Sequence, residues 1–284
     1  MRKIMTLLLS LVMLSTILVG CKGETSETTL ATDAVITSAD VTAEATEETE
    51  PLLATSELTI SAAASLKNVM TELTTAFGEV QPNVTLTFNF GASGELQTQI
   101  ESGAPADIFI SAAQKQMTAL SDEDLMVTDS IFSLLENEVV LIVPSDSALG
   151  LTSFEDLTSD DVTMIAIGDP ASVPAGTYAT AVFDSLGITD AISGKFVLGS
   201  DVTQVLTYVE GGEVDAGVVY STDALSSDGV TVVAEAPEGS HDAIIYPAGI
   251  VAASTNQEAA EAFLAFLQTP EATAIFESYG FKAA

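Results

Sequence analysis

Along residues 58–284 the apolar positions switch repeatedly between the period of a strand and that of a helix. Leu58 to Ala62 reads as a strand, and Leu66, Val69, Met70, Leu73 and Phe77 follow at helical spacing, so a strand feeding a helix is predicted. Ser65 stands at the junction, where an N-cap belongs. Val84, Leu86, Phe88 and Phe90 alternate strictly, which predicts a second strand; Gly91, Ala92, Ser93 and Gly94 then turn it into a short helix reaching Ile100. Further strands are predicted over 107–110, 138–143, 162–167 and 214–220. Gly168, Asp169 and Pro170, with the turn Val173, Pro174, Ala175 and Gly176, lead into a helix over 178–186. Another helix spans about 201–209 and closes at Gly211 and Gly212. Helices over 259–267 and 271–278 end the chain, the second opened by Thr269 and Pro270. Met70, Phe77 and Phe263 fall on helix faces and are assigned to the core. Strands alternating with helices predict an α/β fold with mainly parallel sheets and sites at the strand C-termini.

The first 20 residues follow another pattern: Arg2 and Lys3, then an apolar run broken only by Thr6, Ser10, Ser15 and Thr16. This reads as an export signal. Leu18, Val19, Gly20 and Cys21 resemble the lipobox of bacterial lipoproteins, and the resemblance implies cleavage before Cys21 and lipid attachment to it. Residues 22–56 turn to Thr, Ala, Ser and Glu, with eight acids and one lysine. Residues 21–56 are therefore expected to be the lipidated cysteine and a disordered acidic, Thr-rich tether. As a flexible coil, a tether of this length spans roughly 30–35 Å.

Charge then narrows the chemistry. Seven Lys and Arg against 41 Asp and Glu give 7 − 41 = −34 for the chain. Residues 57–284 hold four lysines, no arginine and 33 acids, so 4 − 33 = −29. With no basic stripe, nucleic acid is excluded as a partner. Cys21 is the single cysteine and His241 the single histidine, so no disulfide, thiolate metal site or Cys/His dyad can form in the body. Neither Ser65 nor Ser93 lies in a Gly-x-Ser-x-Gly elbow that would pair it with His241, and no enzyme activity is expected. Asp122, Glu123 and Asp124 read as a solvated face rather than a calcium loop. No cofactor and no direct metal-cation ligands are expected.

What remains is a set of neutral donors at strand exits: Ser65, Ser93, the turn Pro174, Ala175 and Gly176, residues 200–202, and Tyr220 with Ser221. Each serine alone is an ordinary N-cap, and Tyr220 alone is a strand-end aromatic. Together they describe something else. A helix N-terminus offers unpaired N–H groups and about half a positive charge, so several converging on one point hold an anion without Lys or Arg.

The residues that carry these donors also resemble a known family, the molybdate-binding proteins of ABC transporters, which are two-lobed extracytoplasmic solute receptors. The resemblance spans residues 57–284. It rests on Ala62, Ala63, Ala64, Ser65 and Leu66; on the run from Gly103 through Pro105 and Asp107 to Ala112; on Gly168, Asp169 and Pro170 with Val173, Pro174, Ala175, Gly176 and Tyr178; on Asp215, Ala216, Gly217 and Tyr220 with Thr222, Asp223 and Ala224; and on Tyr279, Gly280 and Phe281. It implies a periplasmic-binding-protein-like type II fold with the ligand cleft between the lobes. It implies an oxyanion held by Ser65 and Ser93, the N–H groups of Ala175 and Val202, and the Tyr220 hydroxyl. Molybdate or tungstate would be delivered to an ABC transporter permease by a monomer tethered outside the cytoplasm through Cys21. Sulfate or another oxyanion, and a non-transport surface lipoprotein, are the alternatives. Lobe 1 is expected over 57–136 and 249–284 and lobe 2 over 137–248, with crossings near 136–140 and 245–249. Glu95, in a first helical turn beside the expected anion, should face solvent, as should Lys67.

Overall fold

A computed structural model describes residues 52–284, all within one compact unit. The expected signal sequence, Cys21 and the tether as far as residue 51 lie outside the described residues. The chain builds most of one lobe, crosses to build a second, and returns. The first lobe opens with β1 (Ser56–Ala63), α1 (Lys67–Val80), β2 (Val84–Gly91), α2 (Ser93–Glu101), β3 (Ile108–Ile110), α3 (Gln114–Asp122) and β4 (Phe132–Asn137). The second consists of β5 (Val139–Pro144), β6 (Ile165–Gly168), α4 (Pro174–Leu186), α5 (Thr189–Ile192), β7 (Phe196–Gly199), α6 (Val202–Glu210), β8 (Ala216–Tyr220), α7 (Ser221–Leu225) and β9 (Val230–Glu235). The chain then completes the first lobe with β10 (Ile244–Ile250), α8 (Gln257–Phe266), α9 (Pro270–Ser278) and β11 (Lys282–Ala283).

Each lobe carries one sheet, ordered β11-β4-β10-β3-β1-β2 in the first and β7-β6-β8-β5-β9 in the second. The two-lobed α/β architecture is the expected one, but the sheets are mixed rather than mainly parallel. The strand–helix units β1, β2 and β3, and β6, β7 and β8, pair in parallel. The strands next to the crossings, β4, β10 and β5, pair antiparallel with their neighbours, because a chain that passes directly from one sheet to the other needs no returning helix.

The first crossing is abrupt: Asn137 pairs with Ile244 in one sheet and Val139 with Tyr220 in the other. It lies within the expected 136–140. The second runs through residues 236–243, between β9 and β10. The expected crossing at 245–249 instead lies inside β10, whose Ala248, Gly249 and Ile250 pair with β3. Pro247 and Gly249 disguise that strand in the sequence, and its register shifts between Tyr246 and Pro247. The fold also begins before the expected tether end at residue 56. Ser56 begins β1, and Leu53 is held to Gln81 and Asn83 at 3.0 Å each.

The core follows the apolar periods. Leu58, Ile60 and Ala62 of β1 pack with Val69, Met70, Leu73 and Phe77 of α1, all buried. Phe77 meets Phe263 of α8 edge-on at 5.0 Å, a geometry worth about 1 kcal/mol beyond the area buried. This packing fixes where β1 and β2 end, and so where the first lobe faces the second.

Candidate functional site

Both serines sit at helix starts, but neither caps a helix. Ser65 lies in a 3₁₀ turn, Ala64–Leu66, and the residue preceding α1 is Leu66, with no side-chain cap. Its hydroxyl is 3.0 Å from the Tyr246 hydroxyl. Ser93 is the first residue of α2, behind an Ala92 that cannot cap, and its Oγ accepts the Ala112 N–H at 2.9 Å. The N-cap expectation for both is corrected: the hydroxyls are tied to neighbouring strands and loops, which leaves the first amides of α2 without a side-chain acceptor.

In the second lobe α4 begins at Pro174, earlier than expected, so Ala175 is its second residue. No side chain caps it either. Its first turn lies directly on the end of β6, since a Cβ at Gly176 would collide with the Gly168 carbonyl. Glycine is required there by close approach rather than by an unusual φ. α6 begins at Val202, with Asp201 as a true N-cap accepting the Gln204 N–H at 2.8 Å. That cap occupies the Asp201 carboxylate and leaves the Val202 amide, at the first helical position, without an intrahelical partner.

These starts converge on one small cavity of about 10 Å³ between the lobes, lined by Ala63, Ala64, Gly91, Ala92, Ser93 and Ala112 from the first and by Val173, Pro174, Ala175, Asp201, Val202 and Tyr220 from the second. That is the space of about one water molecule, so the lobes stand nearly shut around it. Ser93, Ala175, Val202 and Tyr220, four of the five expected site residues, line it together. Ser65 does not line it; it is buried and follows the lining residues Ala63 and Ala64 in the chain.

Tyr220 ends β8 with its ring 1% exposed; the Tyr246 ring lies beside it at 5.8 Å, but the buried Tyr220 hydroxyl makes no hydrogen bond of normal geometry. Burial pushes its phenol well above the usual range, so it stays a protonated donor. Buried polar groups are normally paired, and an orphan beside a cavity points to a partner that occupies it.

A polar network behind the cavity joins the lobes. Asn137 Nδ2 donates to Thr222 Oγ1 at 2.9 Å in the second lobe and to Tyr246 Oη at 3.2 Å in the first, while its Oδ1 accepts from Ser221 Oγ at 3.1 Å. Sequence reading missed Asn137, Tyr246 and Thr222. The available signal was weak: a tyrosine in an apolar strand, and an asparagine in the polar gap between two strands. Asp223 is buried near the same network with one carboxylate oxygen unpaired. Burial, with the Asp201 charge adding to it, raises its pKa to about 7.

Glu95 and Lys67 are exposed, as expected, and neither lines the cavity. His241 lies in the second crossing, with Nδ1 2.7 Å from the Asp242 carbonyl and its ring against Tyr178. Asp122, Glu123 and Asp124 are solvent-exposed. Among the described residues no group of three or more His, Cys, Asp or Glu is placed to hold a metal ion, and no helix is long and apolar enough to cross a membrane.

Two α/β lobes that meet at a cavity on which helix starts from both converge have the architecture of a two-lobed solute-binding protein. Residues 58–282 match the bacterial extracellular solute-binding proteins, and the chain belongs to that family. It is 39% identical over 234 residues to the molybdate-binding protein ModA of Escherichia coli (strain K12), covering 79% of this chain and 88% of that one. It is 36% identical over 233 residues to the molybdate-binding protein ModA of Haemophilus influenzae, covering 81% and 91%. The fold is that of the periplasmic molybdate-binding protein of Azotobacter vinelandii, with a TM-score of 0.73 at 22% identity over 80% of this chain and 99% of that one.

Proposed function

We propose that this chain is a receptor that closes its lobes on one tetrahedral oxyanion, molybdate or tungstate, and hands it to an ABC transporter permease. The observation that carries the reading is the unpartnered, buried Tyr220 hydroxyl at a cavity into which uncapped helix starts open from both lobes. Ser93, the amides of Ala175 and Val202, and Tyr220 are the direct donors. Ser65 completes the shell from behind Ala64, and Tyr246 orients its hydroxyl. An all-donor shell suits a fully deprotonated dianion. The relatives named as molybdate-binding support the choice of ion. No catalytic step is assigned to any residue. The lipid on Cys21 keeps the receptor outside the cytoplasm and near the permease, and a Cys21→Ser chain is expected in the soluble fraction rather than with membranes.

Thermal unfolding with molybdate, tungstate, sulfate or phosphate tests the ligand. At 1,000 times the dissociation constant, binding adds about 4 kcal/mol, on the order of 10 °C for a body of this size. The expected result is a large shift with molybdate and tungstate, a small one with sulfate and phosphate, and loss of the shift in Ser65→Ala plus Ser93→Ala. A larger shift with sulfate would move the assignment to another oxyanion. No shift with any of the four would overturn it.

A further inference from the structure

Beside the cavity the lobes touch backbone to backbone. The amide of Gly94, second residue of α2, donates to the carbonyl of Ser172 at 2.9 Å, in the loop between β6 and α4. A Cβ at Gly94 would lie 2.7 Å from that oxygen, 2.9 Å from Ser172 Cα and 3.1 Å from its carbonyl carbon. These are main-chain atoms, so no rotamer change relieves the overlap.

Both sides of the contact are fixed. In the first lobe, α2 is tied to the loop after β3 through Ser93 Oγ and the Ala112 N–H. In the second, the loop is braced on Asp169, whose main-chain oxygen accepts from Ser172 and Val173 at 3.1 and 2.7 Å and whose Oδ1 accepts from Ala171 at 2.9 Å. The adjoining residues Ser93 and Val173 both line the cavity. The closest approach of the lobes at this rim is therefore set by whether residue 94 carries a side chain.

We propose that Gly94 is a positioning residue: its bare backbone acts as a latch against the Ser172 carbonyl and lets the lobes close far enough for donors from both to reach one ligand. The proposal rests on the oxyanion reading above and adds a determinant of affinity that the cavity lining does not include. In Gly94→Ala the lobes must stop short, and donors fixed to opposite lobes no longer reach a small ion together.

Stopped-flow kinetics and calorimetry with molybdate test it. Gly94→Ala is expected to bind at least tenfold more weakly through a faster dissociation rate, with the association rate unchanged and ligand-free unfolding within a few degrees of the wild type. Ser172→Ala keeps the carbonyl and is expected to bind as the wild type does. Gly78→Ala, on a helix where an added Cβ meets nothing within 4 Å, controls for glycine replacement and should leave binding intact. Wild-type affinity in Gly94→Ala, or an equal loss in Ser172→Ala, would overturn the latch. A wild-type chain that binds no oxyanion would instead sink the ligand reading. The latch is then judged by small-angle scattering without ligand, where Gly94→Ala should have the larger radius of gyration and equal radii would overturn it.

Discussion

At the scale of single residues, Tyr220 separates binding from stability. Its buried hydroxyl makes no well-formed hydrogen bond in the protein, so it costs the folded chain free energy unless a ligand takes it up. Tyr220→Phe is expected to leave ligand-free stability equal or higher. The same change should weaken molybdate binding by roughly 1.5–3 kcal/mol, the range for a hydrogen bond to a charged group. Calorimetry and thermal unfolding of one variant check both signs. Asp223 adds a pH dependence. Its folded pKa of about 7 lies above its ordinary 3.8, because burial penalises the charged form and Asp201 adds repulsion. Between those values the folded state binds more protons than the unfolded state, so stability falls as pH rises through the window. Asp223→Asn should match the wild type near pH 4 and exceed it above pH 7, by on the order of 4 kcal/mol for a shift of this size. Denaturant unfolding across that range measures the difference, and an unchanged gap would show that the buried carboxyl does not titrate this way.

Among the elements, the placement of α4 depends on its contact with β6. Because a Cβ at Gly176 would collide with the Gly168 carbonyl, Gly176→Ala must push the first turn of α4 off the strand end. Overpacking of this kind costs about 1–3 kcal/mol. It also displaces the Ala175 amide, so molybdate binding should fall by more than the stability loss accounts for, which titration at a temperature well below unfolding would reveal. The elements also mark how far the sequence could be read. α1 and β2 were legible because each buries one face, β1 because it leads straight into the period of α1, and four of the five expected donors line the cavity because each lies at or after the end of a strand. β7 and β9 were missed: they are edge strands whose residues are half-buried or exposed, apart from Gly199, with little apolar period to detect. β10 was missed for the opposite reason, being buried almost throughout but interrupted by Pro247 and Gly249. That Ser65 and Ser93 do not cap their helices is not legible, because a sequence shows which residue stands at a helix start, not where its hydroxyl turns. Tyr246 and Asn137 pair across 109 residues, beyond any local pattern.

For the molecule as a whole, a folded part with a formal charge near −29 can hold a dianion only where short-range donors prevail over long-range repulsion. Salt acts on the two differently. Raising ionic strength from about 10 to 150 mM shortens the screening length from about 30 to 8 Å, which weakens the repulsive field during encounter but leaves the enclosed donors nearly untouched. The association rate with molybdate should therefore rise with salt while dissociation stays constant. An association rate that falls with salt would reveal a cationic guide that the sequence does not contain. The central claim is that one oxyanion sits between the lobes on neutral donors, and crystals grown with tungstate test it most directly through the metal's anomalous scattering. The expected result is a single strong peak per chain, with its oxygens in hydrogen-bond range of Ser93, the amides of Ala175 and Val202, and the Tyr220 hydroxyl. A peak elsewhere, or an inter-lobe cavity that stays free of tungsten at saturating concentration, would contradict it.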